Sequence, residues 1–228
     1  MKKLVVLTGA GVSAESGLKT FRDADGLWEG HDVMQVASPE GFHADPGLVL
    51  DFYNQRRRQL KQAEPNSAHR DIAELQSWFD VKIITQNVDD LHERAGSHNV
   101  MHLHGELFKV RSTYDEFDVM EWRKDLILGD LCQRGYQLRP HIVWFGEAVP
   151  LIPKAMTLCE QADLLLIVGT SLQVYPAASL MHYVASHVPI FYIDPKPAIN
   201  SNSQIEVVAE PATIGMKTLK ERLINQFY

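Results

Sequence analysis

The sequence contains little cysteine, with only Cys132 and Cys159 among its 228 residues. Two cysteines cannot form a disulfide-dense secreted scaffold, and their wide separation does not match the paired spacing of a zinc ribbon. The sequence also has no apolar stretch of about 20 residues, so it predicts no transmembrane helix. The apolar run that follows Lys2 and Lys3 is four residues long, whereas a signal peptide needs roughly 7–15.

Basic side chains are also scarce relative to acidic ones. The chain has 22 Lys and Arg against 29 Asp and Glu, which gives a net charge of −7. Because a nucleic-acid binder needs a basic face to neutralise phosphates, this function class is excluded. With 45% hydrophobic residues, the chain can bury a proper core, and we expect a soluble globular protein of the cytoplasm. Its length corresponds to about one and a half domains of ~150 residues.

Short apolar runs alternate with helical patterns along the chain. The runs predict buried strands at 3–8, 81–85, 163–168 and 189–193. The helical patterns lie at 46–62, 67–79, 153–161, 177–186 and 216–227. This alternation predicts an α/β fold with a doubly wound parallel sheet. Residues 112–138 follow neither pattern, so they predict a small inserted subdomain, the alternative being an unusually long surface loop.

A glycine-rich turn directly follows the first predicted strand. Residues 9–14 (GAGVSA) fit the pattern G-x-G-x-x-[GA], in which glycines let backbone N–H groups approach a pyrophosphate at a helix N-terminus. Glycines of an ordinary strand–turn–helix connection would give the same pattern. A nicotinamide dehydrogenase would carry an acidic residue about 20 positions later, at the tip of a second strand. Residues 18–32 instead predict a polar loop without a strand, which counts against a dehydrogenase.

Polar residues also follow the other predicted strands, where open α/β sheets bind their ligands. These residues are Gln86, Asn87, Asp89, Thr170, Ser171 and Asp194. The amide and acid groups suit the carboxamide and ribose of a nicotinamide nucleotide, and the hydroxyls suit an adenosine ribose or a phosphate. An Asx turn before a helix, or ordinary turn and cap chemistry, would explain the same residues.

Two histidines stand close together in residues 101–106 (MHLHGE). Strand alternation would place His102 and His104 on one face. A metal site is disfavoured, because the spacing is not H-E-x-x-H and no third ligand is near. A general base is favoured, because a neutral imidazole titrates near neutrality. Further on, residues 140–147 (PHIVWFGE) predict an apolar strand, either a core strand or one to which an extended peptide adds.

These segments together resemble the sirtuins, the NAD-dependent protein-lysine deacylases. In chain order they are GAGVSAESG, TFR, TQNVD, HLHGE, PHIVWFGE and GTS. The resemblance runs from Lys3 to about Ala212 and implies that NAD is consumed as a co-substrate. The acyl oxygen of a modified lysine attacks C1′ of the nicotinamide ribose, nicotinamide leaves, and free lysine and O-acyl-ADP-ribose are formed. It also implies a Rossmann-like NAD-binding domain of residues 1–111 and 139–228, with a helical part at 31–65, interrupted by the subdomain 112–138.

The resemblance assigns roles to individual residues. His104 is implied to be the base that acts on a ribose hydroxyl, and Asn87 is the second catalytic residue. The residues implied to surround NAD are Gly9, Ala10, Gly11, Ser13, Ala14, Thr20, Phe21, Arg22, Trp28, Gln86, Asn87, Asp89, Gly169, Thr170, Ser171, Asp194 and Ala212. The acyl-lysine peptide, bound as an added strand, is implied to contact Val143, Phe145 and Gly146.

Tyr53 and Arg56 refine the expected substrate. They are three positions apart on a predicted helix and therefore share a face. In isolation, residues 56–58 (RRR) are typical of a solvated basic face. Tyr-x-x-Arg after an upstream Ala37, however, resembles the subclass that accepts succinyl- or malonyl-lysine. A guanidinium can bind the distal carboxylate bidentately, a phenol adds a hydrogen bond and a small Ala37 leaves room. We therefore predict desuccinylase activity besides deacetylase activity.

The small subdomain departs from the family pattern. Most sirtuins hold a structural zinc with four cysteines, but here Ser112 stands where the first is expected and the insertion holds only Cys132. One thiol cannot make a tetrahedral site, so no zinc or other metal is expected. We predict that packing holds the subdomain together through Phe117, Trp122, Leu126 and Ile127.

A monomer is expected. Two other functions are alternatives to deacylation. Mono-ADP-ribosyl transfer shares the first chemical step and is one alternative function. A non-catalytic NAD- or ADP-ribose-binding module is the other, although an intact His104 and Asn87 argue against a dead pocket.

Overall fold

Parallel strands form the main sheet of the computed structural model, which describes residues 1–19, 27, 28 and 30–228. Leu27 and Trp28 are described by their backbone alone. Thr20, Phe21 and Arg22 lie outside the described residues, so their predicted contacts with NAD stay predictions, and so does that of the Trp28 side chain. Among the described residues, no helix is long and apolar enough to cross a membrane.

The chain forms eleven strands, eight α-helices and two 3₁₀ helices in the described residues. The strands are β1 (Lys3–Thr8), β2 (Leu27–Trp28), β3 (His31–Asp32), β4 (Asp80–Thr85), β5 (Val100–His102), β6 (Gly105–Ser112), β7 (Val119–Glu121), β8 (Leu138–Ile142), β9 (Leu164–Val168), β10 (Ile190–Ile193) and β11 (Ile205–Val208). The helices are α1 (Gly11–Ala14), α2 (Val33–Val36), α3 (Pro39–Ala44), α4 (Pro46–Gln62), α5 (Ser67–Glu74), α6 (Leu91–Arg94), α7 (Ile152–Glu160) and α8 (Ala212–Phe227). Two 3₁₀ helices lie at Leu75–Ser77 and Ala177–Tyr183.

The main sheet has the strand order β11-β10-β9-β1-β4-β5, and all its pairings are parallel. Alternate residues of β1 enter different cores: Leu4 and Val6 pack in one cluster, whereas Val5 and Leu7 pack in the other. Helices therefore cover both faces, which confirms the predicted doubly wound α/β fold and all four predicted strands.

Some predicted elements differ from those observed. The helix predicted at 177–186 is a 3₁₀ helix, and the one predicted at 67–79 ends as an α-helix at Glu74. The prediction that residues 18–32 hold no strand is wrong, because β2 and β3 pair as an antiparallel hairpin. This hairpin lies outside the parallel sheet. It therefore does not supply the second strand of a dehydrogenase.

The predicted insertion is flanked by a three-stranded antiparallel sheet of order β7-β6-β8, in which β7 lies within the insertion and β6 and β8 extend beyond its two ends. Its core includes Leu126, which is fully buried, and Trp122 packs against it. The prediction that Phe117 and Ile127 also pack in this core is wrong, since these residues are 85% and 61% exposed. Without periodicity in this segment, apolar character alone did not reveal which side chains face inward. The division into domains stays a prediction.

Helix α4 fastens this small sheet to the rest of the chain. The side-chain amide of Asn54 donates to the carbonyl of Leu126 at 2.9 Å and accepts from its N–H at 2.8 Å. Arg57 is 1% exposed. Its guanidinium donates to Asn54 Oδ1 at 2.7 Å and to the carbonyl of Leu107 at 2.9 Å. These two side chains therefore join α4 to β6 and to the loop before β8.

Replacing Asn54 with alanine is expected to lower the free energy of unfolding by about 2–4 kcal/mol. The loss arises because the buried N–H groups of Leu126 and Arg57 lose their acceptor. Urea unfolding measures the change. The matched control is Gln55→Ala, an exposed neighbour on the same helix, for which we expect a change within about 0.5 kcal/mol. Equal effects of the two substitutions would contradict the assignment.

Candidate active site

Three loops meet at one edge of the main sheet, because the strands before them end in register. Thr8 at the end of β1 is paired with Thr85 of β4 and with Val168 of β9. The loops that follow are 9–10, 86–90 and 169–176. A hydrogen bond of 3.0 Å from Gln86 Nε2 to Thr170 Oγ1 joins the second loop to the third. The structure thus brings together the predicted polar residues from separate parts of the sequence.

The glycines of the first loop allow its backbone to lie against the third loop. The N–H of Gly9 donates to the carbonyl of Val168 at 3.1 Å, and that of Gly11 to the carbonyl of Gly169 at 2.8 Å. A Cβ atom on Gly11 would lie 2.7 Å from Gly169 Cα, and one on Gly9 would lie 2.7 Å from Thr170 Cβ. These glycines are therefore required for close loop packing, and their predicted contact with phosphates stays a prediction.

Ser13, Asn87 and Asp89 form a buried hydrogen-bonded cluster. Asn87 Nδ2 donates to Ser13 Oγ at 3.1 Å, and Ser13 Oγ donates to Asp89 Oδ2 at 3.0 Å. Burial raises the pKa of Asp89. Its Oδ1 accepts from the N–H of Leu91 at 3.1 Å, so the alternative Asx turn is present as well. The Ser13 side chain lies with the residues predicted for nicotinamide, and its assignment to the phosphates stays a prediction.

Two histidines beneath this cluster were not identified from the sequence. His69 Nδ1 accepts from the N–H of Asn66 at 3.3 Å, so the imidazole is neutral and its Nε2 donates to Ser13 Oγ at 3.3 Å. Burial lowers the pKa of His69 to about 4. His92 Nε2 lies 3.0 Å from Thr8 Oγ1, and burial holds its pKa well below the usual range. No local spacing marks either residue, because their partners are distant in sequence.

His102 and His104 contact successive carbonyls of the second loop. Nδ1 of His102 lies 2.9 Å from the carbonyl oxygen of Asn87, and Nδ1 of His104 lies 3.0 Å from that of Gln86. Strand β5 ends at His102, so the prediction that both lie on one strand face is wrong. The described residues hold no group of three His, Cys, Asp or Glu side chains suited to a metal ion.

His104 has the geometry of a general base. A carbonyl only accepts, so Nδ1 carries the proton and Nε2 carries the lone pair. The side chain is only partly buried, and no described residue makes a hydrogen bond to Nε2. Burial lowers the pKa of His104, which keeps the imidazole neutral. The ring can therefore take a proton from a group that approaches Nε2.

Residues 143–145 bring together the groups predicted for the acyl-lysine. The N–H of Val143 donates to the carbonyl of His104, and that of Phe145 to the carbonyl of Ala37, both at 2.9 Å. Trp144 Nε1 donates to the Tyr53 hydroxyl at 2.9 Å. Strand β8 ends at Ile142. The predicted strand therefore covers only the start of 140–147, because the next residues turn to these partners.

Glu147 and two arginines form an ion cluster next to residues 143–145. Glu147 accepts from Arg139 at 2.7 Å and from Arg111 at 3.0 Å, and its Oε2 accepts from the N–H of Trp144 at 2.8 Å. The Arg139 guanidinium lies 3.3 Å from the centre of the Trp144 ring. Gly146, between these residues, has a φ of +89°, which a residue with a side chain rarely adopts. The backbone at 143–147 is thereby fixed.

The three consecutive arginines of α4 do not form one solvated face. Arg57 is buried, whereas Arg58 is exposed and lies 3.5 Å from Asp51. Arg56 is partly buried, with its guanidinium carbon 4.8 Å from the centre of the Phe52 ring. Only Arg58 therefore fits the alternative of a solvated basic face.

The remaining predicted residues lie at neighbouring positions. Asp194 is 2% exposed and follows β10, where Oδ1 accepts from the N–H of Lys196 at 2.8 Å. Ala212 is buried at the start of α8. The next residue, Thr213, donates from its N–H to Glu15 Oε2 at 3.0 Å. Because Glu15 follows α1, the structure brings Ala212 near the glycine turn.

Comparison with known proteins agrees with this arrangement. A family model described as Sir2 family matches residues 9–176. An NAD-dependent protein deacylase of Helicobacter pylori (strain ATCC 700392 / 26695) is 60% identical over 227 residues, covering 99% of each chain. One of Bacteroides thetaiotaomicron is 53% identical over 231 residues, covering 98% of this chain and 99% of the other. The crystal structure of a Sir2 homologue–NAD complex has a TM-score of 0.88 and 41% identity, covering 98% of this chain and 90% of that one.

Proposed function

The chain belongs to the Sir2 family, and from that premise we propose how its residues catalyse protein deacylation and which acyl groups it removes. The protein is an NAD-dependent protein deacylase, with NAD as its co-substrate and acylated lysines of proteins as its targets. We propose that it removes succinyl and malonyl groups as well as acetyl groups. Its monomeric state and cytoplasmic location stay predictions from the sequence.

We propose that NAD binds at the edge where β1, β4 and β9 end. The glycine turn packs closely against the loop that follows β9, and buried polar groups lie beside it. The phosphates are assigned to residues 9–14, the nicotinamide and its ribose to 86–89, and the adenosine to 169–171 together with Asp194 and Ala212. NAD supplies the ADP-ribosyl group that accepts the acyl group when nicotinamide leaves.

His104 is proposed to remove the proton from a ribose hydroxyl. Its Nδ1–H bond to the carbonyl of Gln86 fixes the tautomer and leaves Nε2 as the base. Asn87, whose amide is oriented by Ser13, is proposed to hold the ribose and carboxamide beside it. The deprotonated hydroxyl then attacks the carbon that was the acyl carbonyl. The lysine amine leaves with a proton, and water adds to the same carbon, which gives O-acyl-ADP-ribose.

The acyl-lysine is proposed to lie between residues 143–146 and α4, with the peptide as an added strand. The observation that carries this proposal is that Val143, Trp144 and Phe145 contact His104, Tyr53 and Ala37 in turn. This segment is thus hydrogen-bonded to the backbone of His104 and to Tyr53 on the helix that carries Tyr-x-x-Arg. We propose that an acyl chain entering beside His104 extends toward Tyr53 and Arg56.

Arg56 is proposed to bind the distal carboxylate of a succinyl or malonyl group. Stacking on the Phe52 ring orients the guanidinium, and the bond from Trp144 orients the Tyr53 phenol. A bidentate guanidinium–carboxylate pair is stronger and more directional than a neutral hydrogen bond. An uncharged acyl end offers no anion for such a pair.

The experiment that tests this specificity compares three peptides of one sequence with NAD: acetyl-lysine, succinyl-lysine and the neutral carboxamide analogue of succinyl-lysine. The analogue has nearly the same size but is uncharged and offers one acceptor oxygen instead of two. We expect kcat/KM for the carboxamide to be about 10-fold or more below that for succinyl-lysine. Equal values for these two peptides would contradict carboxylate recognition.

We propose that the small subdomain is zinc-free. Ser112 Oγ donates to Cys132 Sγ at 3.4 Å, so the thiol already has a protein partner. Cys132 is 5% exposed and packs with Leu126 and Leu138. Metal analysis of the purified protein is expected to find no stoichiometric zinc, and EDTA is expected to leave the melting temperature unchanged. One tightly held zinc per chain would show that the proposal is wrong.

A further inference from the structure

Both ring nitrogens of His102 face hydrogen-bond acceptors. Nδ1 lies 2.9 Å from the carbonyl oxygen of Asn87, and Nε2 lies 2.7 Å from Glu93 Oε1. The Glu93 side chain is 39% exposed, whereas that of His102 is 7% exposed. A carbonyl and an ionised carboxylate can only accept, so this geometry favours a ring protonated on both nitrogens, which is a buried imidazolium.

The position of Glu93 gives this contact its significance. Glu93 lies in α6, which begins directly after the loop that holds Asn87 and Asp89. His102 thereby links Asn87, near the start of this loop, to helix α6, which follows the loop. His104, two residues further, contacts the preceding carbonyl, and its Nε2 makes no hydrogen bond to any described residue. The two histidines thus contact successive carbonyls through Nδ1, but only His102 also has a partner at Nε2, namely Glu93.

We propose that His102 is a positioning residue for deacylation: anchored by Glu93, its imidazolium fixes the Asn87 carbonyl and so the orientation of the Asn87 side chain. This inference rests on the roles proposed above for Asn87 and His104. His102 touches no reacting group itself. Because misplacement of a substrate-holding group by about 1 Å can cost up to 10²-fold in rate, loosening the loop lowers kcat.

The charges around the ring favour its protonated form. The titratable groups on the elements packed against it are Asp89 and Asp90 in the loop, His92 and Glu93 in α6, Glu106 and Lys109 in β6, Glu121 in β7 and Arg123 after β7. Asp89, Lys109 and Arg123 line a cavity of about 40 Å³ beside the ring. Burial lowers the pKa of His102, but the hydrogen bond and charge of Glu93, with the Asn87 carbonyl and Glu106, raise it above its usual value.

The test compares Glu93→Ala and Glu93→Gln in the full-length chain. Glu64→Ala is the matched control, because that carboxylate also makes an ion pair, with Arg94 at 2.9 Å, but is 78% exposed. NMR of the ring nitrogens reports the protonation of His102 without substrate. Steady-state kinetics with an acetyl-lysine peptide give kcat and KM separately, and melting temperatures monitor folding.

We expect wild-type His102 to be doubly protonated at neutral pH and Glu93→Ala to make it neutral. In Glu93→Ala, kcat is expected to fall about tenfold with little change in the peptide KM. Glu93→Gln is expected to recover most of this loss, since its amide N–H can turn toward a neutral Nε2. The wild-type kcat is expected to fall at alkaline pH as His102 deprotonates, and this limb is absent in Glu93→Gln.

Three results would overturn the inference: a neutral His102 ring in the wild type at neutral pH, an unchanged kcat in Glu93→Ala, or an equal loss in Glu64→Ala. Failure of the proposed function would give other results. If the wild type showed no deacylase activity, or if a His104 variant kept full activity, the proposed roles of Asn87 and His104 would be wrong, whatever protonation state NMR finds for His102.

Discussion

Replacing His104 with alanine is expected to reduce acyl-lysine turnover by about 10²–10⁴-fold, the usual contribution of a general base. Departure of nicotinamide does not need this base, so exchange of labelled nicotinamide into NAD is expected to persist. The matched control is His98→Ala, which removes an exposed histidine of the same region. Turnover by His104→Ala within a few-fold of wild type would contradict the role of His104.

The pH dependence of kcat/KM tests the same role. The base acts as neutral imidazole, and protonation at low pH removes it. Because burial lowers the pKa of His104 below the ordinary value of 6.5, the neutral form persists to lower pH than for an exposed histidine. The acid limb is therefore expected below pH 6.5 and is expected to be absent from the residual activity of His104→Ala. An acid limb above pH 7 would contradict this account.

Replacing Arg56 with methionine is expected to lower kcat/KM for succinyl-lysine by about 10–10²-fold, the loss of a charge-assisted hydrogen bond worth about 1.5–3 kcal/mol. Methionine keeps an unbranched apolar chain but removes the cation. In the proposed binding mode the guanidinium contacts only the distal carboxylate, so deacetylation is expected to change much less. Parallel kinetics with the two acyl-lysine peptides measure the ratio directly.

The chain offers a matched control for Arg56 on the same helix. Arg58→Met removes an exposed arginine with ion pairs to Asp51 and Asp125 and is expected to leave both activities unchanged. Tyr53→Phe removes only the phenol oxygen and is expected to act in the same direction as Arg56→Met, with a smaller effect. If Arg56→Met lowered succinyl and acetyl turnover equally, its assignment to the carboxylate would be wrong.

The sequence predicted those parts of the fold whose signals are local. Continuous apolar runs bounded by glycine or polar residues located β1, β4, β9 and β10, because a strand buried on both faces contains few polar residues. The same rule missed β5 and β11. Strand β11 lies at the sheet edge and most of its residues are only partly buried, so its sequence carries no strong apolar signal.

The sequence could predict those residues of the site that directly follow a strand. Gln86 and Thr170 come together because β4 and β9 both flank β1. His69 and His92 could not be found in this way, since they act on Ser13 and Thr8 across long separations in sequence. The burial of Arg57 between exposed and partly buried arginines likewise depends on Asn54 and Leu107, which only the folded chain brings near.

The most direct test of NAD-dependent acyl transfer is a product balance, measured by mass spectrometry on one acyl-lysine peptide with and without NAD. We expect that each lysine freed is matched by one nicotinamide and one O-acyl-ADP-ribose, and that no lysine is freed without NAD. Release of free carboxylic acid without nicotinamide would contradict it. So would nicotinamide release that attaches ADP-ribose to protein and leaves the acyl-lysine intact.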